Sequence, residues 1–132
     1  MAPRDKRTNS DVAARGGVAP HVRADPVYLV KAQLFRALGN PVRIRIVELL
    51  CDGERTVGDL QVELDLDSSG TSQHLAALRQ QGILESRRDG TNVYYAIRDP
   101  RVTQLLAVAK QIITSWLSDS HSLLGELYAE PN

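Results

Sequence analysis

Residues 56–97 read TVGDLQVELDLDSSGTSQHLAALRQQGILESRRDGTNVYYAI, and this stretch decides the fold because its hydrophobic period changes part-way. Up to Gly82, apolar residues recur every three or four positions, which is typical of amphipathic helices. Beyond Gly82 they alternate, which is typical of strands, and the dipeptide Asp89-Gly90 is a strong signal for a tight hairpin turn. The stretch therefore predicts a helix, a turn, a second helix and a β-hairpin.

The two helices of this stretch have recognisable start signals. Thr56-Val-Gly-Asp59 has the spacing of a capping box, with Asp in the place where Glu is usual. After a turn at residues 65–67, the next helix is predicted over about residues 68–81, with Ser68 or Ser69 as its N-cap. Its inner face is predicted to consist of Thr71, Leu75 and Leu78.

Three further helices are predicted outside this stretch. The first begins near Pro26, and Asn40-Pro41 starts the next one with Asn as N-cap and Pro at the first helical position. Asp99-Pro100 repeats this device before a last helix over about residues 100–128. Residues 1–25 show no periodicity and predict a disordered arm, so the folded domain is expected to span residues 26–130. The predicted class is mainly α with a two-stranded β-hairpin (α+β), in the order α-α-α-α-β-β-α.

Composition excludes several classes of protein. The chain has 132 residues, 16 basic and 16 acidic, so bulk polybasic binding to nucleic acid is excluded. A single cysteine, Cys51, excludes an intrachain disulfide framework and a Cys-cluster zinc fold. No apolar run approaches the roughly 18 residues of a membrane span, and the N-terminus lacks the apolar core of a signal peptide. We therefore expect a soluble, cytoplasmic, single-domain protein without contact to a membrane.

Two short helices joined by a tight turn and followed by a hairpin predict a winged helix-turn-helix. The helix over 68–81 would then be the recognition helix, and residues 83–98 would form the wing. Small hydroxyls and an amide at the start of that helix suit contacts to base edges or phosphates, and arginines in the hairpin suit contacts to the DNA backbone. The alternative is that the serines only cap the helix and the arginines are only solvated. The predicted DNA-binding residues are Ser68, Ser69, Thr71, Ser72, Gln73, His74, Arg79, Arg87, Arg88 and Asn92.

The first and last helices carry apolar stripes that are wider than one small domain would bury. This pattern favours a homodimer in which a second copy covers them. The predicted interface residues are Val27, Val30, Leu34, Leu105, Ala109, Ile112, Ile113 and Trp116.

Four segments together resemble the ArsR/SmtB family of bacterial transcriptional repressors: LFRALGNPVRIRIVELL (34–50), TVGDL (56–60), SSGTSQHLAALRQQGILESRRDGTNVYYAI (68–97) and DPRVTQLL (99–106). The resemblance covers about Tyr28 to Leu117. It implies a homodimer, built from the first and last helices, that binds palindromic double-stranded operator DNA. It also implies release from DNA when an inducer, often a metal ion, binds.

The metal sites of that family do not carry over to this sequence. Where metal-sensing members have a Cys-Val-Cys-Asp-Leu pattern, this chain has Thr56 to Leu60, without a thiol. The positions of the other family site, between the last helices, are occupied here by Asp99, Arg101, Ile112 and Ser115. Arginine and isoleucine supply no lone pair for a divalent cation, so we expect no metal and no cofactor.

The inducer is therefore open. Cys51 is a candidate redox site, although its place near the end of the second helix favours structural burial over thiol sensing. An organic ligand at the dimer interface is the other alternative for regulation. His121, with nearby carboxylates, matches no zinc spacing and is interpreted as part of a solvated helix end.

Two other classes of function compete with DNA binding. A winged helix can act as a protein-interaction module, but such a face should expose aromatic or aliphatic anchors instead of small polar residues. An enzyme is disfavoured because the sequence has no Gly-rich phosphate loop, carboxylate pair or nucleophile–base pattern. The sequence thus favours a DNA-binding regulator.

Overall fold

A computed structural model describes residues 26–129, which form five helices and three strands in the order α-α-β-α-α-β-β-α. The predicted N-terminal arm, residues 1–25, lies outside the described residues. The elements are α1 (Val27–Leu38), α2 (Pro41–Leu50), β1 (Arg55–Thr56), α3 (Val57–Leu64), α4 (Ser68–Gln80), β2 (Leu84–Asp89), β3 (Asn92–Ile97) and α5 (Arg101–Ala129). They belong to two units, one ending at Asp99 and one beginning at Pro100, and each is described by itself.

Two predicted helix starts are confirmed in atomic detail. The Asn40 side chain caps α2 by accepting hydrogen bonds from the backbone N–H groups of Val42 and Arg43, at 2.9 and 3.2 Å. At α3, the Thr56 hydroxyl accepts from the Asp59 backbone N–H while the Asp59 carboxylate accepts from the Thr56 backbone N–H. This is the reciprocal capping box, and Asp performs the part usually taken by Glu.

The predicted N-cap of α4 is wrong by one or two residues. Asp67 is the cap, and its Oδ1 accepts from the Gly70 N–H at 2.7 Å, whereas Ser68 and Ser69 lie inside the first turn. The helix start thus leaves both serine hydroxyls unused by capping. The preceding turn between α3 and α4 reverses at Asp65, whose φ of 53° and ψ of 49° place it in the left-handed region.

The sheet has a third strand that the sequence did not indicate. Its order is β1-β3-β2, with Arg55 opposite Tyr95 and Thr56 opposite Tyr94. A two-residue strand has no measurable alternation, so periodicity cannot detect it. The strand attaches the start of α3 to the hairpin.

The wing hairpin is confirmed, with a turn displaced by one residue from Asp89-Gly90. Asp89 pairs with Asn92, so the two loop residues are Gly90 and Thr91. Gly90 has φ of 64° while Thr91 is not among the positive-φ residues, which is the φ pattern of a type II′ turn. Gly82, with φ of 78°, turns the chain from α4 toward the wing.

The core of the first unit lies where α2, α3 and α4 meet the sheet. Its fully buried side chains include Ile46, Leu60, Leu75, Leu78 and Ile83. Because α4 contributes two of these, its inner face is fixed against the domain and its opposite face is left to solvent.

The second unit is one helix, α5, of 29 residues, about 44 Å long at 1.5 Å per residue. It runs without a break through Ser118, Asp119 and Ser120. Within residues 26–129, no helix has the length and apolar character that a bilayer span requires.

Candidate nucleic-acid interface

The outer face of α4 presents a narrow polar stripe. Ser69 lies three and four residues before Ser72 and Gln73, and these lie four and three residues before Ala76, so the four positions share one face; all four are exposed. Ser68 and Arg79 are exposed beside them. The side chains of this stripe are short, with Gln73 the longest, so another surface can approach the helix closely.

Thr71 does not belong to this face, which corrects its prediction as a DNA-binding residue. Its side chain is completely buried, and its hydroxyl donates to the Asp67 carbonyl at 2.9 Å. Four-residue spacing places Thr71 in line with Leu75 and close to Leu78 on the inner face. Its role is to anchor the start of α4.

His74 is half-buried and bound to its own domain. Its Nδ1 accepts a hydrogen bond from Nε of Arg43 at 3.1 Å. Burial, and then the neighbouring Arg43 charge, lower the pKa of His74 below its ordinary value of 6.5, so the neutral, accepting form is favoured. His74 therefore links α4 to α2, and its ring is less available to DNA than the sequence suggested.

The N-terminus of α4 carries a carboxylate. Asp67 binds the Gly70 N–H, and a Cβ on Gly70 would lie 3.0 Å from its Oδ1. Gly70 is therefore needed for the close approach of the cap, in addition to keeping the helix slim. Because the Asp67 carboxylate occupies the positive end of the helix dipole, the attraction of that end for a phosphate is weakened.

Arg87 and Arg88 are neighbours on β2 but have different surroundings. Arg87 donates from Nε to Oε2 of Glu54 at 2.8 Å, forms a second contact from its terminal nitrogen to the same carboxylate, and stacks 4.3 Å above the ring centroid of Tyr94. Hydrogen bonding to Arg87 lowers the pKa of Glu54 and, reciprocally, raises the pKa of Arg87. Because neighbours on a strand point to opposite faces, the Arg88 side chain lies on the other side of β2 from Arg87, and it is exposed. Asn92, on the far side of the turn, is exposed as well.

Sequence reasoning missed two residues of this surface. The first is Glu54, whose carboxylate neutralises Arg87. These two residues are 33 positions apart, so their pairing could not be inferred without knowing the register of β2. The second is Ala76, which adds an exposed methyl group at the end of the otherwise polar stripe. Its spacing of four and three residues from Ser72 and Gln73 could have predicted that it lies on the same face of α4.

Comparison with known proteins matches this geometry to a family. The family model described as "Bacterial regulatory protein, arsR family" matches residues 40–86, from the cap of α2 into β2. The uncharacterized HTH-type transcriptional regulator Rv0081 of Mycobacterium tuberculosis is 41% identical over 109 residues, which cover 82% of this chain and 96% of Rv0081. The chain belongs to the ArsR family.

Solved structures agree with this assignment. The crystal structure of M. tuberculosis Rv0081 is similar to this ArsR-family regulator with a TM-score of 0.68 and 43% identity, over 73% of this chain and 97% of that one. The solution structure of a homodimeric winged helix-turn-helix DNA-binding domain, Mb0332 of Mycobacterium bovis, gives a TM-score of 0.60 at 27% identity, over 86% and 91% of the two chains. A probable mercury resistance operon repressor of Streptomyces lividans is 34% identical over 79 residues, or 60% of this chain and 63% of its own length. The winged helix-turn-helix class is thereby confirmed.

Two separate helices of the ArsR-family regulator expose apolar side chains. On α1, Val27 is 67% exposed, and Val30 and Leu34 are half-buried. On α5, Trp116 is 64% exposed, with Ile112 and Ile113 also exposed. The remaining predicted interface residues, Leu105 and Ala109, are half-buried.

Cys51 is exposed, so its predicted burial is wrong. It is the C-cap residue of α2, and its Sγ lies 3.3 Å from the Val47 carbonyl, which it contacts as a weak donor. Cys51 keeps a helical backbone, with φ of −59° and ψ of −31°, and Asp52 and Gly53 after it are also exposed, so no packing of the described chain covers the thiol.

The positions at which the resemblance would place a metal are occupied as follows. Thr56 caps α3 and Gly58 lies in its first turn, while Asp99 precedes α5 and Arg101 is its first residue. In the part of the chain that the structure describes, no three His, Cys, Asp or Glu side chains form a group that could hold a metal ion.

Proposed function

We propose that this ArsR-family regulator is a homodimeric repressor that binds a palindromic operator in double-stranded DNA without catalysing a reaction. The observation that carries the proposal is the two-sided character of α4. Its inner face is buried through Thr71, Leu75 and Leu78, while its outer face offers a stripe of short polar groups. A helix held in this way is suited to lie in a major groove.

Base reading is assigned to the middle of the stripe. Gln73 can bind adenine N6 and N7 with two hydrogen bonds, and Ser69 and Ser72 can bind base edges or phosphates. Ala76 adds the kind of methyl group that contacts thymine. Glutamine carries the specificity in this arrangement because it is the longest side chain of the stripe.

Backbone contact is assigned to the wing. Arg88 and Asn92 are exposed near the hairpin end, where they can bind phosphate oxygens. Arg87 contributes less because the Glu54 carboxylate already neutralises it. A wing in which Arg87 is neutralised fits modest electrostatic attraction in a chain of zero net charge.

Dimerisation supplies the second recognition helix. The exposed apolar side chains of α1 and of α5 are suited to pack against the same helices of a second copy. Their removal from water would contribute a free energy of roughly 25 cal/mol per Å² of buried apolar surface. The similarity to homodimeric Mb0332 supports this. A two-fold dimer presents two α4 helices, so its operator should be an inverted repeat with half-sites about 10 base pairs apart.

Selection of bound duplexes from a random pool tests the proposal. We expect the parent protein to enrich an inverted repeat, and Gln73→Ala to lose about 1–3 kcal/mol of discrimination at one base pair per half-site. Gln104→Ala is the matched control, since Gln104 is an exposed glutamine of α5 that belongs to neither the polar stripe nor the wing. Enrichment of no sequence, or equal losses in the two variants, would contradict the assignment.

A further inference from the structure

A groove of about 550 Å³ lies within the first unit, between α1, α2 and the C-terminal half of α4. Helical spacing explains which residues line the groove. Residues 33, 36 and 37 share one face of α1, residues 77 and 80 share one face of α4, and residue 81 is the C-cap that follows them. Its polar lining consists of Gln33, Arg36, Arg43, Gln80 and Gln81. No residue of the polar stripe of α4 lines the groove, so it is distinct from the surface assigned to base reading.

The groove concentrates positive charge without a counter-ion. Two guanidinium groups line it, and its lining contains no carboxylate. Three other arginines of the described chain, at positions 45, 55 and 87, each lie within 4 Å of a Glu. Among residues 26–129, neither Arg36 nor Arg43 has such a partner, which makes an anion the natural occupant.

Arg43 is held in place by its own domain. Its Nε donates to His74 Nδ1 at 3.1 Å, and its side chain is half-buried between α2 and α4. This contact fixes the plane of the guanidinium and leaves its two terminal nitrogens as donors. A guanidinium held in this way is pre-organised for a carboxylate or phosphate, because little side-chain freedom remains to be lost on binding.

Gln33 provides an independent observation. Its Oε1 atom is buried, and none of residues 26–129 donates a hydrogen bond to it. Buried acceptors in proteins are nearly always paired, and the Gln33 side chain also lines the groove, so a rotation of its amide toward the groove would let a ligand donor satisfy this oxygen. The groove thus combines two cations with one acceptor.

We propose that this groove binds a small organic anion, whose carboxylate or phosphate is bound by Arg36 and Arg43 and whose O–H or N–H donates to Oε1 of Gln33. The volume lies within the roughly 300–1,000 Å³ of small-molecule sites. The occupant contacts both α1 and α4. Binding of this anion does not depend on the proposed DNA-binding function.

The test is a titration of the full-length, ¹⁵N-labelled protein, followed by NMR of the Arg Nε–H and Gln side-chain amide signals. The probes are malate, inorganic phosphate and, as a neutral counterpart, malamide. We expect malate to shift the Arg43 and Gln33 signals saturably at millimolar concentration, and malamide to leave them unchanged.

Variants locate the site. Arg36→Gln, an exposed position that does not contribute to the core, should raise the Kd for malate about tenfold or more, and Arg43→Gln should do the same. Arg45→Gln removes an equal charge from an exposed site on α2 and should change the Kd less than about twofold. Gln33→Leu should weaken the binding of malate more than that of succinate, because succinate has no hydroxyl to donate.

Three results would overturn the proposal. The first is the absence of saturable shifts with both malate and phosphate up to about 20 mM. The second is an equal loss of malate affinity in Arg36→Gln and Arg45→Gln. The third is that Arg36→Gln weakens binding to every duplex and lowers its salt dependence while malate fails to bind, because the groove would then be a contact for DNA phosphates. A chain that binds malate but enriches no inverted repeat would refute the proposed function and leave this inference standing.

Discussion

The winged unit (residues 26–99) and the last helix, α5, differ in how far their apolar residues are buried. In the winged unit, residues such as Leu75 and Ile83 are completely buried by the chain's own packing. In α5, Trp116 and its apolar neighbours remain exposed over several turns. The difference teaches that the core around α4 is completed by the chain's own packing, whereas α5, like α1, leaves apolar surface exposed that a second copy is suited to cover.

The largest effect is expected from a cavity in the winged unit. Leu75→Ala removes a fully buried side chain from the inner face of α4, and it should lower the free energy of unfolding by about 2–5 kcal/mol. Urea denaturation measures this. Ala76→Ser, next along the chain but exposed, is the control and should change stability by less than about 0.5 kcal/mol.

A substitution on the exposed face of the last helix, α5, should change self-association and leave the fold of the chain intact. Trp116→Ser removes an exposed anchor and should weaken self-association by about 2 kcal/mol or more, with little change in helix content. Sedimentation velocity over a range of concentrations measures the dimer Kd. A parent protein that stays monomeric at micromolar concentration would remove the basis of the comparison.

The wing offers a pair of opposite changes. Arg88→Gln should weaken binding to all duplexes and reduce the slope of log K against log salt by about 0.9 for each phosphate that the variant no longer binds. Glu54→Gln removes the carboxylate that neutralises Arg87, and it should strengthen binding at low salt. Fluorescence anisotropy at several salt concentrations distinguishes them, and changes of the same sign would refute the assigned roles.

The smallest effect concerns pH and the contact between α2 and α4. The pKa of His74 is lowered in the folded state, so the unfolded chain takes up the proton first as pH falls. Stability is therefore complete above the ordinary value of 6.5 and decreases below it, until the folded pKa is passed. Chemical denaturation between about pH 7.5 and 5 should show this decrease in the parent, and a flatter profile in His74→Gln.

Much of the winged unit could be predicted because its signals are local. The caps at Asn40 and Thr56, the hairpin turn at Gly90 and the buried period of α4 are each encoded by residues only a few positions apart. The two-residue strand β1 and the pairing of Arg87 with Glu54 depend on contacts 33 or more positions apart, and no local pattern encodes them.

The candidate surface was predicted less completely than the fold. The buried face of α4, with Thr71, Leu75 and Leu78, followed from helical spacing, although Thr71 was also counted among the DNA-binding residues. The capping by Asp67 was not predicted, because competing N-cap residues left the start of α4 open by one turn or less. The exposure of Cys51 was not predicted either, because apolar spacing does not locate a helix end closely enough to say which of the last side chains are covered.

The order β1-β3-β2 also has a consequence for solubility. An outer strand with unsatisfied backbone groups can recruit a strand from another molecule and begin aggregation. Here one edge, β1, is only two residues long, and the other, β2, has the sequence LESRRD with four charged side chains. Both edges are therefore poor templates for further strands, so the wing can protrude from the protein without promoting intermolecular sheet growth.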